Sequence, residues 1–424
     1  MKKVLLVFPN AVDRKQLSTS RPQRGEQFEV TFAEPRDEDC PWDYDILSFI
    51  ARAAETYRGE IDGVMSSSDY PGATVAGAIA SRLDLPGSSA ETIMRCSHKY
   101  YSRLAQREAA PKATADFRLV DPKDYHDVLR KIDYPCYIKP VKGAFSVMTR
   151  QIHGPDELAA FLESAAVKEF IENYVFIFNQ LVRELTSFEI TGSYFIAEEL
   201  LRGRQATVEG VSVNGKVEML GIVDSVKHEG TDSFVRFDYP SSLPAQVQDR
   251  MVDVAERVIR QLGLTNSLFN IEMIFDEERD RVSIVEVNPR LCGQFADLYQ
   301  KVDGINGYQV ALAVATGAKP VILRGRGDFR VASSFPLRVF QPVRVIHAPH
   351  GELIEEVESG FPSTLIWNEC ETGQVLSDFE RLEDGVSYRY GIVNVGAENR
   401  KDLMERLQEV RRRLGYEFGP PTSS

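Results

Sequence analysis

The chain has 424 residues, 43% of them apolar, so it holds material for several hydrophobic cores and disorder is excluded as its default state. At roughly 150 residues per domain, such a length divides into about three domains. Its 50 basic and 63 acidic residues leave a net charge of −13, which argues against nucleic acid and anionic membranes as partners.

The apolar run over 4–8 follows Met1-Lys2-Lys3 and ends at Pro9-Asn10. It is too short for a secretory signal core and lacks a small-residue cleavage site, so it reads as a buried first strand. No other stretch approaches about 18 apolar residues, so no membrane span is expected. Cys40, Cys96, Cys136, Cys292 and Cys370 are odd in number and scattered, with no CxxC or Cys/His cluster. That excludes a disulfide framework and a structural zinc site, and points to a reducing, cytoplasmic setting.

In chain order, 4–8 reads as a strand, 46–57 as a helix and 63–65 as a strand running into Ser66-Ser67-Ser68-Asp69. The helix over 74–83 is closed by Leu85-Pro86-Gly87. Such alternation predicts a doubly wound parallel sheet. No G-x-G-x-x-G follows the first strand, which counts against a nicotinamide-dependent enzyme. A helix then ends at Ala110 before Pro111, with a further helix over 125–132, a short strand over 134–140, a helix over 156–164 and an extended segment over 174–178. Strands over 206–213 and 217–223 face each other across Asn214-Gly215, a strong hairpin signal. A helix over 245–262 precedes strands over 268–275 and 282–287, which flank a charged turn. The last part is strand-rich (329–340, 365–367, 388–395) and closes with a helix keeping Leu403, Leu407, Val410 and Leu414 on one face. Arg411-Arg412-Arg413 reads as the solvated last turn of that helix, facing its dipole.

The densest polar constellation lies on the two strands after the long helix. One carries Asn270-Ile271-Glu272, the other Glu286-Val287-Asn288-Pro289-Arg290. Alternate residues of a strand share a face, so pairing the two brings Glu272 to Glu286 and Asn288, with Asn270 alongside. Two carboxylates and an amide oxygen suit Mg²⁺, which takes few protein oxygens and completes its shell with water and phosphate. Reading them as ordinary solvated acids conflicts with strands that are otherwise apolar on both faces, where unpaired carboxylates would be very unfavourable. Arg290 is either a bidentate clamp for an anion or half of a structural ion pair. Lys139, ending an apolar strand, is either a phosphate clamp or a solvated strand end. Lys99 carries no signal by itself. The strand over 196–199 leaves towards Gly203, and is either a plain strand exit or a backbone edge facing a flat base. His228 is either a loop histidine at the surface or a substrate contact.

Taken together and in this order, the pieces resemble the ATP-grasp superfamily over nearly the whole chain, most of all its carboxylate–amine (L-amino-acid, dipeptide) ligases. Cys96-Ser97-His98-Lys99 resembles the first lysine signature of the family and Tyr137-Ile138-Lys139-Pro140 the second. Glu198-Glu199-Leu200-Leu201 looks like the adenine hinge, and Glu286-Val287-Asn288-Pro289-Arg290 is the most specific match. The resemblance implies a fold of α/β and α+β parts. These are a Rossmann-like parallel-sheet domain over 1–95, a two-lobed ATP clamp over 96–328 with a lid lobe over about 134–202, a β-rich C-terminal subdomain over 329–418, and a tail over 419–424. It implies ATP and Mg²⁺ as cofactors, with two ions and Mn²⁺ as a substitute.

By resemblance, Lys99 and Lys139 contact phosphates, Glu198, Glu199 and Leu201 form the adenine hinge, Glu272, Glu286 and Asn288 hold metal, and Arg290 is catalytic. Three departures stand out. The loop Gly143-Ala144-Phe145-Ser146 is poor in glycine and leaves Ser146 as its phosphate donor. Gln205 stands where many members carry a ribose-binding glutamate. Leu291-Cys292-Gly293-Gln294 replaces the continuation found in biotin carboxylases. The implied activity is an ADP-forming ligase that turns a small-molecule carboxylate into an acyl phosphate and joins it to an amine. The alternatives are a carbamoyl-phosphate-type or carboxylating enzyme acting on bicarbonate, and a non-catalytic ATP-binding regulator. Glu209 and the segment from His228 to Asp232 are the candidates for substrate contacts, and a homodimer is a family-level expectation.

Overall fold

The computed structural model describes residues 1–19, 27–34, 44–143, 147–377 and 386–421. Strands β1 (Lys2–Val7), β2 (Phe28–Ala33) and β3 (Gly63–Met65) form a parallel sheet in the order β2-β1-β3. The period of two along β1 divides its side chains between two cores. Leu5 and Val7 pack with the helices Ile46–Thr56 and Gly72–Arg82, while Val4 and Leu6 pack with the helix Gly307–Ala315. Each such fully buried aliphatic side chain contributes about 1.5–3 kcal/mol. The opening run is therefore a central strand covered on both faces, as its uninterrupted apolar character predicts.

The second sheet is antiparallel, with order β4-β7-β5-β6, from β4 (Phe117–Val120), β5 (Cys136–Pro140), β6 (Arg150–Ile152) and β7 (Phe195–Glu199). Two expectations are corrected here. The segment 174–178 is not extended: Phe170–Tyr174 is a wide helical turn leading into the helix Phe176–Leu185. Val175, Phe176 and Phe178 have strand propensity over five residues, but Phe178, Leu181 and Val182 share a helix face that is buried in the core around β1. The helix expected over 125–132 is a single turn, His126–Leu129, after which Lys131 closes a turn onto the Val128 carbonyl.

The third sheet has eight strands in the order β12-β11-β8-β9-β10-β13-β17-β15, every neighbouring pair antiparallel. It takes β8 (Arg204–Val213), β9 (Lys216–Lys227), β10 (Phe234–Tyr239), β11 (Ser267–Asp276) and β12 (Arg281–Asn288) from the middle of the chain. β13 (Val331–Val339), β15 (Leu365–Asn368) and β17 (Tyr388–Ala397) continue the same ladder. β14 (Val343–His347), β16 (Val375–Leu376) and β18 (Glu417–Gly419) make a small separate sheet.

The β8–β9 turn has Asn214 and Gly215 both at positive φ, the geometry a two-residue hairpin requires. The helix Ala245–Leu262 buries Val247, Met251, Val254, Val258 and Leu262 in one core with alternate residues of β11 and β12. The C-terminal helix Arg400–Leu414 buries Leu403, Leu407, Val410 and Leu414, the face its spacing predicts, and stops at left-handed Gly415. No helix among the described residues is long and apolar enough to cross a membrane.

Gly203 joins β7 to β8 and so sets where the second sheet meets the third. Its φ is +126°, and a Cβ there would stand 2.1 Å from the Phe275 carbonyl oxygen on β11. Gly203→Ala is therefore expected to lower stability by about 1–3 kcal/mol, through strain and a backbone clash together. Thermal unfolding tests this; an unchanged midpoint would show that the junction yields freely.

Candidate nucleotide and metal site

The antiparallel register of β11 and β12 pairs Asn270 with Asn288 and Glu272 with Glu286. The two carboxylates thus occupy facing positions on adjacent strands, as alternation predicts. Burial, and next the neighbouring Glu286 charge, push the Glu272 carboxyl up to about 7, against the pull of Arg290, Lys99 and Lys139. The Lys99 Nζ lies 3.0 Å from Glu286 Oε1 and 3.2 Å from the Gly143 carbonyl oxygen. Gln205 donates from Nε2 to Glu272 Oε2 at 3.0 Å. Asn288 donates from its amide nitrogen to Asn270 Oδ1 at 3.4 Å, so its oxygen is the atom a hard cation would take.

Among the described residues no group of three or more His, Cys, Asp and Glu side chains is gathered as a metal cage. Two carboxylates and an amide oxygen, with one carboxyl raised by burial and next by its neighbour, form a set of hard oxygen donors. That set fits a divalent oxygen-loving cation completing its shell with phosphate and water, as Mg²⁺ or Mn²⁺ does.

The Lys139 Nζ, on β5, lies 2.5 Å from Glu198 Oε2 on β7. Arg103, on the helix Lys99–Ala109, reaches the same carboxylate with Nε at 2.5 Å and Nη2 at 3.2 Å. Burial alone would raise the Glu198 carboxyl, but Arg103 and then Lys139 override it and hold it at about 2. The Glu199 carboxylate is gripped by Arg281 of β12 at 2.7 and 3.1 Å. Both acids of the expected hinge are therefore engaged by arginines. The Glu199 backbone N–H is itself engaged, donating to the Asp116 carbonyl oxygen at 3.0 Å, and Leu201 follows β7 on the way to Gly203.

Arg290 ends the constellation. Its Nε is buried without a hydrogen-bond partner among the described residues. Burial disfavours its charge, yet Asp69, Cys292, Glu209 and Glu272 together hold its pKa above the ordinary arginine value. Two residues that sequence reasoning passed over sit beside it. Lys142 donates to Asp69 Oδ2 at 3.3 Å and lies over the Tyr70 and Phe178 rings. Asp69 closes the run Ser66-Ser67-Ser68 after β3, so the first sheet delivers an acid to a site built by the other two. A charged residue at the carboxyl end of a parallel strand was the available signal. Arg103 was legible as the residue one helical turn after Lys99.

Glu209, on β8, pairs in register with Asn270; its Oε1 accepts from Asn270 Nδ2 at 3.2 Å and from the Cys292 backbone N–H at 3.1 Å. Burial raises its carboxyl to about 7, opposed by hydrogen bonds from Tyr299, Asn270 and Cys292. It belongs to the polar row beneath the acid pair. His228 lies on the loop after β9 with its ring edge-on to Phe340, centroids 4.9 Å apart. Ser146 lies outside the described residues.

Glu272 and Glu209 both sit well above the ordinary 4.5 in the fold, so between pH 4.5 and 7 the folded chain binds protons the unfolded chain has lost. These two carboxyls make the stability of the metal-free protein fall as pH rises through that window and level off above it, opposed in part by His98, whose imidazole is held down at about 4 by burial. Glu272→Gln should flatten the fall by on the order of 1 kcal/mol or more. Melting in chelator at pH 5 and pH 8 checks this; an equally steep fall in the variant would contradict it.

Residues 132–297 match the ATP-grasp domain family. Among curated relatives, the uncharacterized protein y4rH of Sinorhizobium fredii is 27% identical over 259 residues, covering 60% of this chain and 49% of that protein. The D-alanine–D-alanine ligase of Pediococcus pentosaceus is 29% identical over 162 residues, covering 36% of this chain and 38% of that enzyme. The chain thus spans about half or less of the length of these relatives. In three dimensions it is similar to the L-amino acid ligase from Bacillus licheniformis, with a TM-score of 0.72, 18% identity and 99% of each chain covered. The chain thus has the ATP-grasp fold, with residues 132–297 matching the ATP-grasp domain.

Proposed function

We propose that this chain is an ATP- and magnesium-dependent ligase that activates a substrate carboxylate as an acyl phosphate and joins it to an amine, releasing ADP. One observation carries the reading: Glu272 and Glu286 face each other on adjacent strands, with Lys99 on Glu286 and the Arg290 charge acting on Glu272. An acid pair ringed by cations is an arrangement for holding a metal–phosphate complex, not for packing. The likeness to a D-alanine–D-alanine ligase and to an L-amino acid ligase supports the choice of reaction class.

The physical difficulty is bringing two anions together. Phosphoryl transfer is chiefly positioning and charge neutralisation. In this reading Lys99 and Lys139 offset phosphate charge, while the main chain of 199–201 takes the adenine and Gln205 a ribose hydroxyl. Glu272, Glu286 and Asn288 would hold the metal, which when bound neutralises the terminal phosphates and orients them. A carboxylate oxygen of the substrate forms its bond to the γ-phosphorus as the bond to ADP breaks. The amine nitrogen then attacks the acyl carbon, phosphate leaves with the bonding pair, and the nitrogen loses its extra proton. Arg290 steadies the carboxylate before transfer and the oxyanion during attack. Acyl phosphates hydrolyse readily, so the lobe over about 134–202 acts as the lid that excludes water.

Glu286→Gln should lower turnover by about 10²-fold or more while leaving the fold intact; full activity at saturating magnesium would remove Glu286 from the metal. Arg290→Ala should lower kcat far more than it weakens ADP binding, and equal losses would place it outside the reaction centre. The test of the reading itself is ADP release across pairs of amino acids, with each amino acid alone and bicarbonate alone as controls. Release that requires a pair supports amide formation. Release with bicarbonate alone would instead assign carboxylating chemistry.

A further inference from the structure

We propose that Arg103 is a positioning residue that loosens the hold of Glu198 on the Lys139 ammonium by sharing that carboxylate, so that nucleotide phosphate can draw the ammonium away. The proposal rests on the reading of Lys139 as a phosphate contact. Arg103 is 1% exposed and heads the large fully buried side chains of the protein. Its guanidinium makes four hydrogen bonds: two to Glu198, one to Gln106 Oε1 at 2.5 Å and one to the Val285 carbonyl oxygen at 2.8 Å. Gln106 is itself braced on Ser102 Oγ at 2.8 Å. Val285 is the residue at which the β11–β12 register slips, immediately before Glu286. One buried side chain thus ties the helix that carries Lys99 to the strand beside the metal pair and to the lid strand β7.

The charge count gives this tie its consequence. Glu198 contributes one negative charge and is contacted by two cations, Arg103 and Lys139. With both present the cluster carries a net positive charge, and the planar fork of Arg103 already spans both carboxylate oxygens. The cluster then holds one positive charge more than Glu198 can balance, and Lys139, on β5, is the cation held by a single contact to that carboxylate. Lys139 already lies 2.5 Å from Glu198 Oε2, and without Arg103 that contact would stand alone as a neutral buried pair. A phosphate would have to compete with Glu198 for the one ammonium.

The inference is tested on the full chain by calorimetric titration with adenosine and with MgADP. The ratio of the two dissociation constants reads the phosphate-dependent part of binding, which a purely structural role would not move. Arg103→Met is expected to reduce that ratio about tenfold or more. Arg103→Gln, which keeps a hydrogen bond to Glu198 without the charge, should do the same, and serves if the methionine variant does not fold. Arg103→Lys should restore most of the ratio. So should the double variant Arg103→Met/Glu198→Gln, because no acid then holds Lys139.

Equal weakening of both ligands, no change in either, or no recovery in the double variant would overturn the proposal. The underlying reading fails separately and visibly. If the wild type binds adenosine as tightly as MgADP, or Lys139→Met leaves the ratio unchanged, Lys139 is not a phosphate contact whatever Arg103 does.

Discussion

Two glutamates are held face to face by the pairing of β11 with β12, and the rest of the site answers to that repulsion. The hydrogen-bond ladder sets their positions, so neither can withdraw without unzipping the strands. Side by side in a partly buried setting, two like charges cost several kcal/mol. The protein relieves this in two ways: it lets Glu272 hold a proton more readily than an ordinary carboxyl, and it aims cations at the pair. In the proposed reading a divalent ion bearing a polyphosphate joins this balance, with the acids facing the metal and the cations facing the phosphates.

The cations come from segments far apart in the chain. Lys99 leads the helix after the first sheet, Lys139 ends β5 of the second sheet, and Arg290 follows β12 of the third. Asp69 joins them from the end of β3 and is held low, against the effect of burial, by Lys142, Arg290 and Lys99. The first, second and third sheets thus each contribute one part, and these residues come together only when the three are assembled. Buried charges at this density need hydrogen-bonded partners to be tolerated, which accounts for the network of Arg103, Glu198, Gln106 and Ser102 behind Lys139.

What could be read from the sequence was local or periodic. The turn at Asn214-Gly215, the amphipathic helix Ala245–Leu262 and the alternation of Asn270, Glu272, Glu286 and Asn288 all follow from rules of period and propensity, and all hold in the fold. What could not be read depends on partners that only folding brings near. Arg103 and Glu198 are 95 residues apart, and Lys142 and Asp69 are 73 apart. Nothing in the neighbourhood of either lysine or arginine announces such a partner. The helix Phe176–Leu185 was missed for a related reason: over five residues its aromatic and branched side chains look like a strand, and tertiary packing against the first core decides otherwise.

The most direct measurement is the affinity for ADP with and without magnesium, in the wild type and in Glu272→Gln. If the facing glutamates hold a metal for the nucleotide, magnesium should tighten ADP binding at least about tenfold in the wild type, and the substitution should abolish most of that gain. ADP affinity indifferent to magnesium in the wild type, or a gain preserved in full by the variant, would contradict the account.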